Sequence, residues 1–316
     1  MKIGFLYAGQ GSQAVGMGKD LYDEYPEFKA VMDSVSLPFD VKDICFNGPA
    51  EILNETKYTQ PCMVAFAVGV TKILAARGIK PDMAAGLSLG EYSALNAAGV
   101  LSDSQVVELV AFRGQSMQEA VSGRDCKMIA VLGLERDKIY EGCRMVAEEF
   151  KEKELNVAEP ANFNCPGQIT VSGDAEPVDR AAEIFKELGA KRCVAVKVSG
   201  PFHTSLMKPA GDKLRERFKT ESFGEMQIPV IFNAIGKEKP ADTTVEELLE
   251  KQVQSSVFFE DTIRYMAENG VDTFVEIGPG KTLSKFVSKT LADAKVYGVE
   301  KKEDVDLLVQ ALGQAE

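Results

Sequence analysis

Ser88 stands at the centre of a Gly-x-Ser-x-Gly run, Gly86-Leu87-Ser88-Leu89-Gly90, and His203 is the one histidine among 316 residues. A serine hydroxyl is a poor nucleophile until a neighbouring base takes its proton. If that base is a histidine, only His203 can serve. Each residue alone has an ordinary alternative. A lone histidine is commonly a satisfied core or surface residue, and the serine pattern recurs by accident. The flanks separate the readings. Asp82 to Gly86 is a short apolar run of small residues after the breaker Lys80-Pro81, and Glu91 to Ala98 reads as a helix stopped by Gly99. Strand, sharp turn and helix are the setting of a nucleophile elbow. The bend strains the serine backbone, and Gly86 and Gly90 flank it because side chains there would collide. Ser88 then projects over a helix N-terminus whose free N–H groups favour negative charge. The N–H of Leu89, next after the serine, is the expected donor to a developing oxyanion.

The elements around this turn alternate. Lys2 to Tyr7 reads as a buried strand leading into the loop Ala8 to Gln13 and a helix near Lys19 to Tyr25. Gln60 to Arg77 is a mostly apolar helix ended by Gly78, and Asp103 to Val121 carries an amphipathic stripe interrupted by Arg113. This alternation predicts a parallel α/β sheet. Residues 126 to 198 have another rhythm: strand Lys127–Leu132, helix Asp137–Lys151, extended Leu155–Asn162, strand Ile169–Ser172, helix Pro177–Leu188 and strand Arg192–Val198. That β-α-β-β-α-β order is the ferredoxin-like unit. The expected organisation is a discontinuous large domain, 1–124 and 199–316, with a small lobe inserted over 125–198. Thr273–Ile277 is a further apolar strand running into Gly278-Pro279-Gly280, and Asp304–Leu312 a final amphipathic helix.

Composition narrows the classes. Hydrophobic residues at 45% with charged residues at 27% are globular proportions. No apolar run approaches the roughly 20 residues of a membrane span, and Met1 to Tyr7 is too short for a signal peptide; a cytoplasmic protein with no membrane partner is expected. The net charge of -12 argues against nucleic acid. Six cysteines without a C-x-x-C pair, and a single histidine, speak against a metal site. Gly9-x-Gly11 lacks the third glycine of a dinucleotide loop, which falls at Gly16, and Gly280-Lys281-Thr282 lacks the first glycine of a P-loop, where Val275 stands.

An ordered set of motifs carries a family resemblance: Gly9-Gln10-Gly11-Ser12-Gln13, Gly86-Leu87-Ser88-Leu89-Gly90-Glu91-Tyr92, Arg113-Gly114, Asn162-Phe163-Asn164-x-Pro166-Gly167-Gln168, Gly200-Pro201-Phe202-His203 and Glu276-Ile277-Gly278-Pro279-Gly280. From end to end the chain resembles the malonyl-CoA:acyl carrier protein transacylases of fatty-acid synthesis. The resemblance implies an α/β-hydrolase-like core with an inserted ferredoxin-like lobe, in line with the independent reading. It implies Ser88 as nucleophile, His203 as base and the backbone carbonyl of Gln252 as the group orienting His203. It implies the N–H of Gln10 as second oxyanion donor. Arg113 becomes the specificity residue, since a guanidinium holds a carboxylate with two parallel charge-assisted bonds; without the resemblance a snorkelling surface arginine is the simpler reading. Gln60, Asn162 and Asn164 are candidate lining residues, and Pro201-Phe202 resembles malonyl-type members. The implied substrates are malonyl-CoA and the phosphopantetheine arm of an acyl carrier protein, with no permanently bound cofactor.

Three positions depart from the family's usual pattern: Leu87 where most members have histidine, Ala8 where proline is common, and Ser255 to Phe259 without a usual proline. Two other activities remain: a discrete acyltransferase of a polyketide synthase, and a serine thioesterase in which water resolves the acyl-enzyme. An acidic carrier protein needs a local basic patch on this acidic chain. Lys191 with Arg192, and Lys281, Lys285 and Lys289, are the candidate clusters.

Overall fold

Ile3–Tyr7 is buried along its whole length, as a parallel strand covered on both faces must be. In the computed structural model, which describes residues 1–196 and 200–313, this strand is central to a mixed α/β fold with two sheets. The chain divides into two compact units. The first comprises Met1–Gln115, Ser222–Phe232 and Arg264–Glu316. Within it, strands lie in the order Lys295–Val299, Thr273–Ile277, Ile3–Tyr7, Met83–Gly86, Val230–Phe232, and every adjacent pair is parallel. Parallel strands end on one edge. The segments after Tyr7, Gly86 and Ile277 therefore leave the sheet side by side.

The helix expected over Gln60–Arg77 runs from Thr56 to Ala76. Pro61 sits in its second turn, where the missing N–H removes one backbone bond near the helix start. With a mean hydropathy of 1.4, the helix is long and apolar enough to cross a bilayer, contrary to the expectation that no such run exists. Its apolar window is 78% buried inside the protein, as a core helix is. Gly69 allows close packing: a Cβ there would lie 2.5 Å from Phe28.

The second unit comprises Ser116–Glu221 and Asn233–Ile263. It contains the lobe expected over 125–198, together with 116–124, 199–221 and 233–263. Strand order is Arg192–Ala195, Cys126–Leu132, Gln168–Asp174, Ala158–Cys165, Val257–Phe258. The first three pairings are antiparallel, and the last is parallel. Helices Arg136–Glu149 and Ala175–Glu187 cover the sheet, burying Ile139, Val146, Val178, Ile184 and Phe185 against Val131, Phe163 and Val171. The strand expected through Val198 is observed over Arg192–Ala195; positions 197–198 lie outside the described residues. The short strand Val257–Phe258 has no periodicity to announce it. It is held by pairing Asn162 with Val257 and by the stacked rings of Phe163 and Phe258, 5.2 Å apart.

Candidate active site

Met83–Gly86 ends in a turn that puts Ser88 at φ 53°. Positive φ is costly for a residue with a Cβ, and the surrounding backbone enforces it. A Cβ on Gly86 would lie 2.0 Å from the Gly90 carbonyl carbon, and one on Gly90 would lie 2.1 Å from the Tyr7 carbonyl oxygen. The Leu87 N–H donates to that same Tyr7 carbonyl at 3.0 Å. Helix Gly90–Ala97 begins directly after the turn, and the N–H groups of Gly90, Glu91 and Tyr92 donate to the Leu87, Ser88 and Leu89 carbonyls at 3.0, 3.1 and 3.1 Å, closing the turn onto the helix.

The loop after Ile3–Tyr7 lies against this turn. A Cβ on Gly9 would come within 2.5 Å of the Leu87 carbonyl oxygen, so only glycine lets the two backbones touch. Ser12 Oγ donates to the Gly9 carbonyl at 3.0 Å, the Gly11 N–H donates to Gln13 Oε1 at 2.7 Å, and Gln13 is tied to Asn54 at 2.7 Å. The motif glycines, serine and glutamine thus fold the loop back and present the backbone of Gln10. Neither the Gln10 nor the Leu89 N–H has a backbone acceptor among the described residues.

Arg113 is not a snorkelling surface residue. It is 1% exposed. Nη2 donates to Ser88 Oγ at 3.1 Å, and Nη1 to Gln60 Oε1 at 2.9 Å. Gln60 is itself buried and lies 3.5 Å from Gln10 Oε1, while Gln10 Nε2 donates to Thr56 Oγ1 at 3.0 Å. The guanidinium sits over the Tyr92 ring, 5.3 Å from its centroid. Burial pulls the Arg113 pKa down from its ordinary value, opposed by Tyr92 and by the carboxylate of Glu91. Burial likewise pushes the Tyr92 hydroxyl up. Glu91, Tyr92 and Thr56 escaped the sequence reading. The available signal was spacing: Tyr92 is one helical turn beyond Ser88, and Thr56 one turn before Gln60.

In the second unit His203 is buried, also with positive φ, at 62°. Ser88 and His203 are the two non-glycine residues in that region among the described residues. His203 Nδ1 lies 2.8 Å from the Gln252 carbonyl oxygen. Gln252 is in the last turn of helix Val245–Val253, where carbonyls have no partner in the helix and are open to an outside donor. Nδ1–H donating there leaves Nε2 as the bare, basic nitrogen. Thr204 Oγ1 bonds the Pro201 carbonyl at 2.7 Å, and the Ser205 N–H and Oγ bond the Glu159 carboxylate at 2.8 and 2.6 Å, fixing the segment on both sides of His203. Phe202 is buried. Asn162 Oδ1 accepts from Thr170 Oγ1 at 2.8 Å, whereas the buried Asn164 Oδ1 has no partner among the described residues.

The acyl transferase domain family matches residues 4–315. The malonyl CoA-acyl carrier protein transacylase of Bacillus subtilis (strain 168) is 41% identical over 313 residues, covering 98% of this chain and 97% of that protein. The chain belongs to the malonyl CoA-acyl carrier protein transacylases. It is an acyltransferase. Solved members of the family agree in fold. The crystal structure of the Streptococcus pneumoniae enzyme superposes with a TM-score of 0.93 at 42% identity, covering 98% of this chain and all (100%) of that one. A malonyl-transacylase in complex with a type II polyketide acyl-carrier protein also reaches a TM-score of 0.93, at 34% identity, over 98% of this chain and 100% of that chain.

The contact at Gly90 generates a prediction. Gly90→Ala meets a backbone wall and cannot relax by moving a side chain. It should destabilise the protein by about 1–3 kcal/mol or more. Gly298→Ala, with nothing within 4 Å of the added methyl, should stay within about 0.5 kcal/mol of wild type. Urea unfolding of both variants checks this; equal midpoints would mean the turn is not held as described.

Proposed function

We propose that this acyltransferase moves a malonyl group from malonyl-CoA to the phosphopantetheine thiol of an acyl carrier protein, by way of a malonyl ester on Ser88, in support of fatty-acid chain elongation. The observation that carries the reading is the buried Arg113 guanidinium bonded to the elbow serine. A cation held there suits an acyl group ending in a carboxylate. In the proposed sequence His203 Nε2 takes the Ser88 proton as Oγ attacks the thioester carbonyl. The resulting oxyanion accepts from the N–H groups of Gln10 and Leu89. Collapse expels the thiolate, which leaves as coenzyme A with the proton from His203. The carrier's thiol then gives its proton to His203, attacks the ester and restores Ser88. Gln252 holds the imidazole in the tautomer this needs, and Gln60 holds Arg113. Phe202, Asn162 and Asn164 are the proposed lining residues, Asn164 with an open acceptor.

The finer fold reading is proposed on the same footing: an α/β-hydrolase-like core with a ferredoxin-like lobe inserted over 125–198. Its support is the β-α-β-β-α-β order and the place of Cys126–Leu132 and Gln168–Asp174 as inner strands between Arg192–Ala195 and Ala158–Cys165. Cytoplasmic residence is likewise proposed. A second carrier is favoured by one observation, the likeness to a transacylase in complex with a polyketide carrier; the chemistry is unchanged. In a thioesterase water would resolve the acyl-enzyme, and a carboxylate clamp has no part in selecting water.

Arg113→Ala tests the clamp. Removing one partner of a buried charge pair costs roughly 2–5 kcal/mol, or about 30- to several-thousandfold in kcat/KM for malonyl-CoA. Acetyl-CoA has no carboxylate, so its transfer should be spared. The malonyl-to-acetyl ratio should collapse; a ratio within about threefold of wild type contradicts the clamp. His203→Ala should lower turnover by on the order of a thousandfold, since nucleophile and base act as one unit.

A further inference from the structure

The parallel strands of the first unit have a second edge, and a cavity opens there. Lys80-Pro81 lead into Met83–Gly86, and Ile228 comes just before Val230–Phe232. Residues that enter these strands lie on the edge opposite to Ser88, which follows them. The cavity they border has a volume of about 350 Å³, within the range of small-molecule sites. Its walls are mostly apolar, with Phe5, Ala75, Ile79 and Ile228 among them, and all of these belong to the first unit.

Two cations line this apolar space, Lys72 and Lys80, and no carboxylate does so among the described residues. Lys72 is shared with Asp103, 2.8 Å away. Lys80 is exposed and has no carboxylate partner among the described residues. Asp82, close to it in sequence, is engaged by the Ile3 N–H at 2.7 Å. The walls are preformed. Thr71 Oγ1 donates to the Ala67 carbonyl at 2.8 Å and lies 3.0 Å from the Tyr7 hydroxyl. Asn96 Nδ2 donates to the Leu101 carbonyl at 3.0 Å and to Asp103 at 2.9 Å. Both side chains line the cavity, and a site held in place before binding loses little freedom when it is occupied.

We propose that this cavity binds an aliphatic carboxylate of medium length, with its chain against Phe5, Ile79 and Ile228 and its head at Lys80. An apolar cavity favours a chain through the area removed from water. An ammonium with no carboxylate of its own selects an anionic head over a neutral or cationic one. The site is separate from the transfer reaction and does not rest on it. It lies at the far ends of the strands from the elbow, and its lining includes none of Ser88, Arg113, Gln60 or Gln10.

Isothermal titration of the protein with sodium octanoate and sodium decanoate, below their micelle concentrations, tests this. Decanoate should bind one-to-one and about tenfold more tightly than octanoate, as two further buried methylenes predict. Ala75 is exposed, so Ala75→Phe should plug the cavity and abolish binding while the urea unfolding midpoint stays at the wild-type value. Lys80→Ala should weaken binding about fivefold, the effect of a partly exposed ion pair, and Lys80→Arg should restore it. If Ala75→Phe lowers the unfolding midpoint, the Lys80 pair decides alone. Decyltrimethylammonium should not bind. The proposal is overturned if decanoate does not bind, if it binds a folded Ala75→Phe as well as wild type, or if Lys80→Ala leaves its affinity unchanged. Equal affinity for decyltrimethylammonium also overturns it, as does displacement of decanoate by malonyl-CoA, which would put the chain in the reaction site.

Discussion

The contact between the Gly90 backbone and the Tyr7 carbonyl is the constraint on which the site depends. It brings the end of one strand and the start of the next helix so close that no side chain fits between them. The turn between Gly86 and Gly90 must then be sharp, and Ser88 must take a positive φ. Strain of this kind persists only where the surroundings over-determine it. Here they do: the Leu87 N–H is bonded to Tyr7 and the Leu87 carbonyl is pressed against Gly9. One packing decision therefore sets the serine at the head of helix Gly90–Ala97 and the Gln10 loop alongside.

Arg113 adds the second element. A guanidinium this deeply buried is expensive to desolvate, and the loss is offset by hydrogen bonds to Gln60 and Ser88, by the Tyr92 ring and by Glu91. Such an arrangement is hard to understand as a stabilising device, since buried charges are weak contributors to stability. It suits the proposed role of a preformed receptor for an anion beside Ser88. On the proposed reading, chemistry and selectivity lie within one hydrogen bond of each other, the 3.1 Å contact between Arg113 Nη2 and Ser88 Oγ.

Much of this was legible in the sequence, for identifiable reasons. The elbow is a local feature, written by two glycines, a strand and a helix within a dozen residues, and it was found. The lobe's alternation of strands and helices was also local. Other features are not local. The carbonyl of Gln252 has no side-chain signature and was suggested by resemblance alone; in the structure it is 2.8 Å from His203 Nδ1 because a helix happens to end there. Arg113 looked like a surface residue by composition, and only the fold reveals its burial. Helix Thr56–Ala76 begins four residues earlier than expected, because its first turn, Thr56 to Thr59, is polar and lacks the apolar signal, and the strand Val257–Phe258 is too short to have a period. Tyr92 and Glu91 were quoted in a motif without a role; their nearness to Arg113 is a tertiary fact.

The central claim is that Ser88 carries the acyl group between two thiols. Intact-mass spectrometry with peptide mapping tests it directly. After mixing with malonyl-CoA, the protein should gain the mass of one malonyl group, located on the peptide containing Ser88. Adding holo acyl carrier protein should return the enzyme to its original mass as the carrier gains malonyl. Ser88→Ala should show no adduct. An adduct of equal yield in Ser88→Ala, or a carrier that becomes malonylated while no modified enzyme ever appears, would contradict the account.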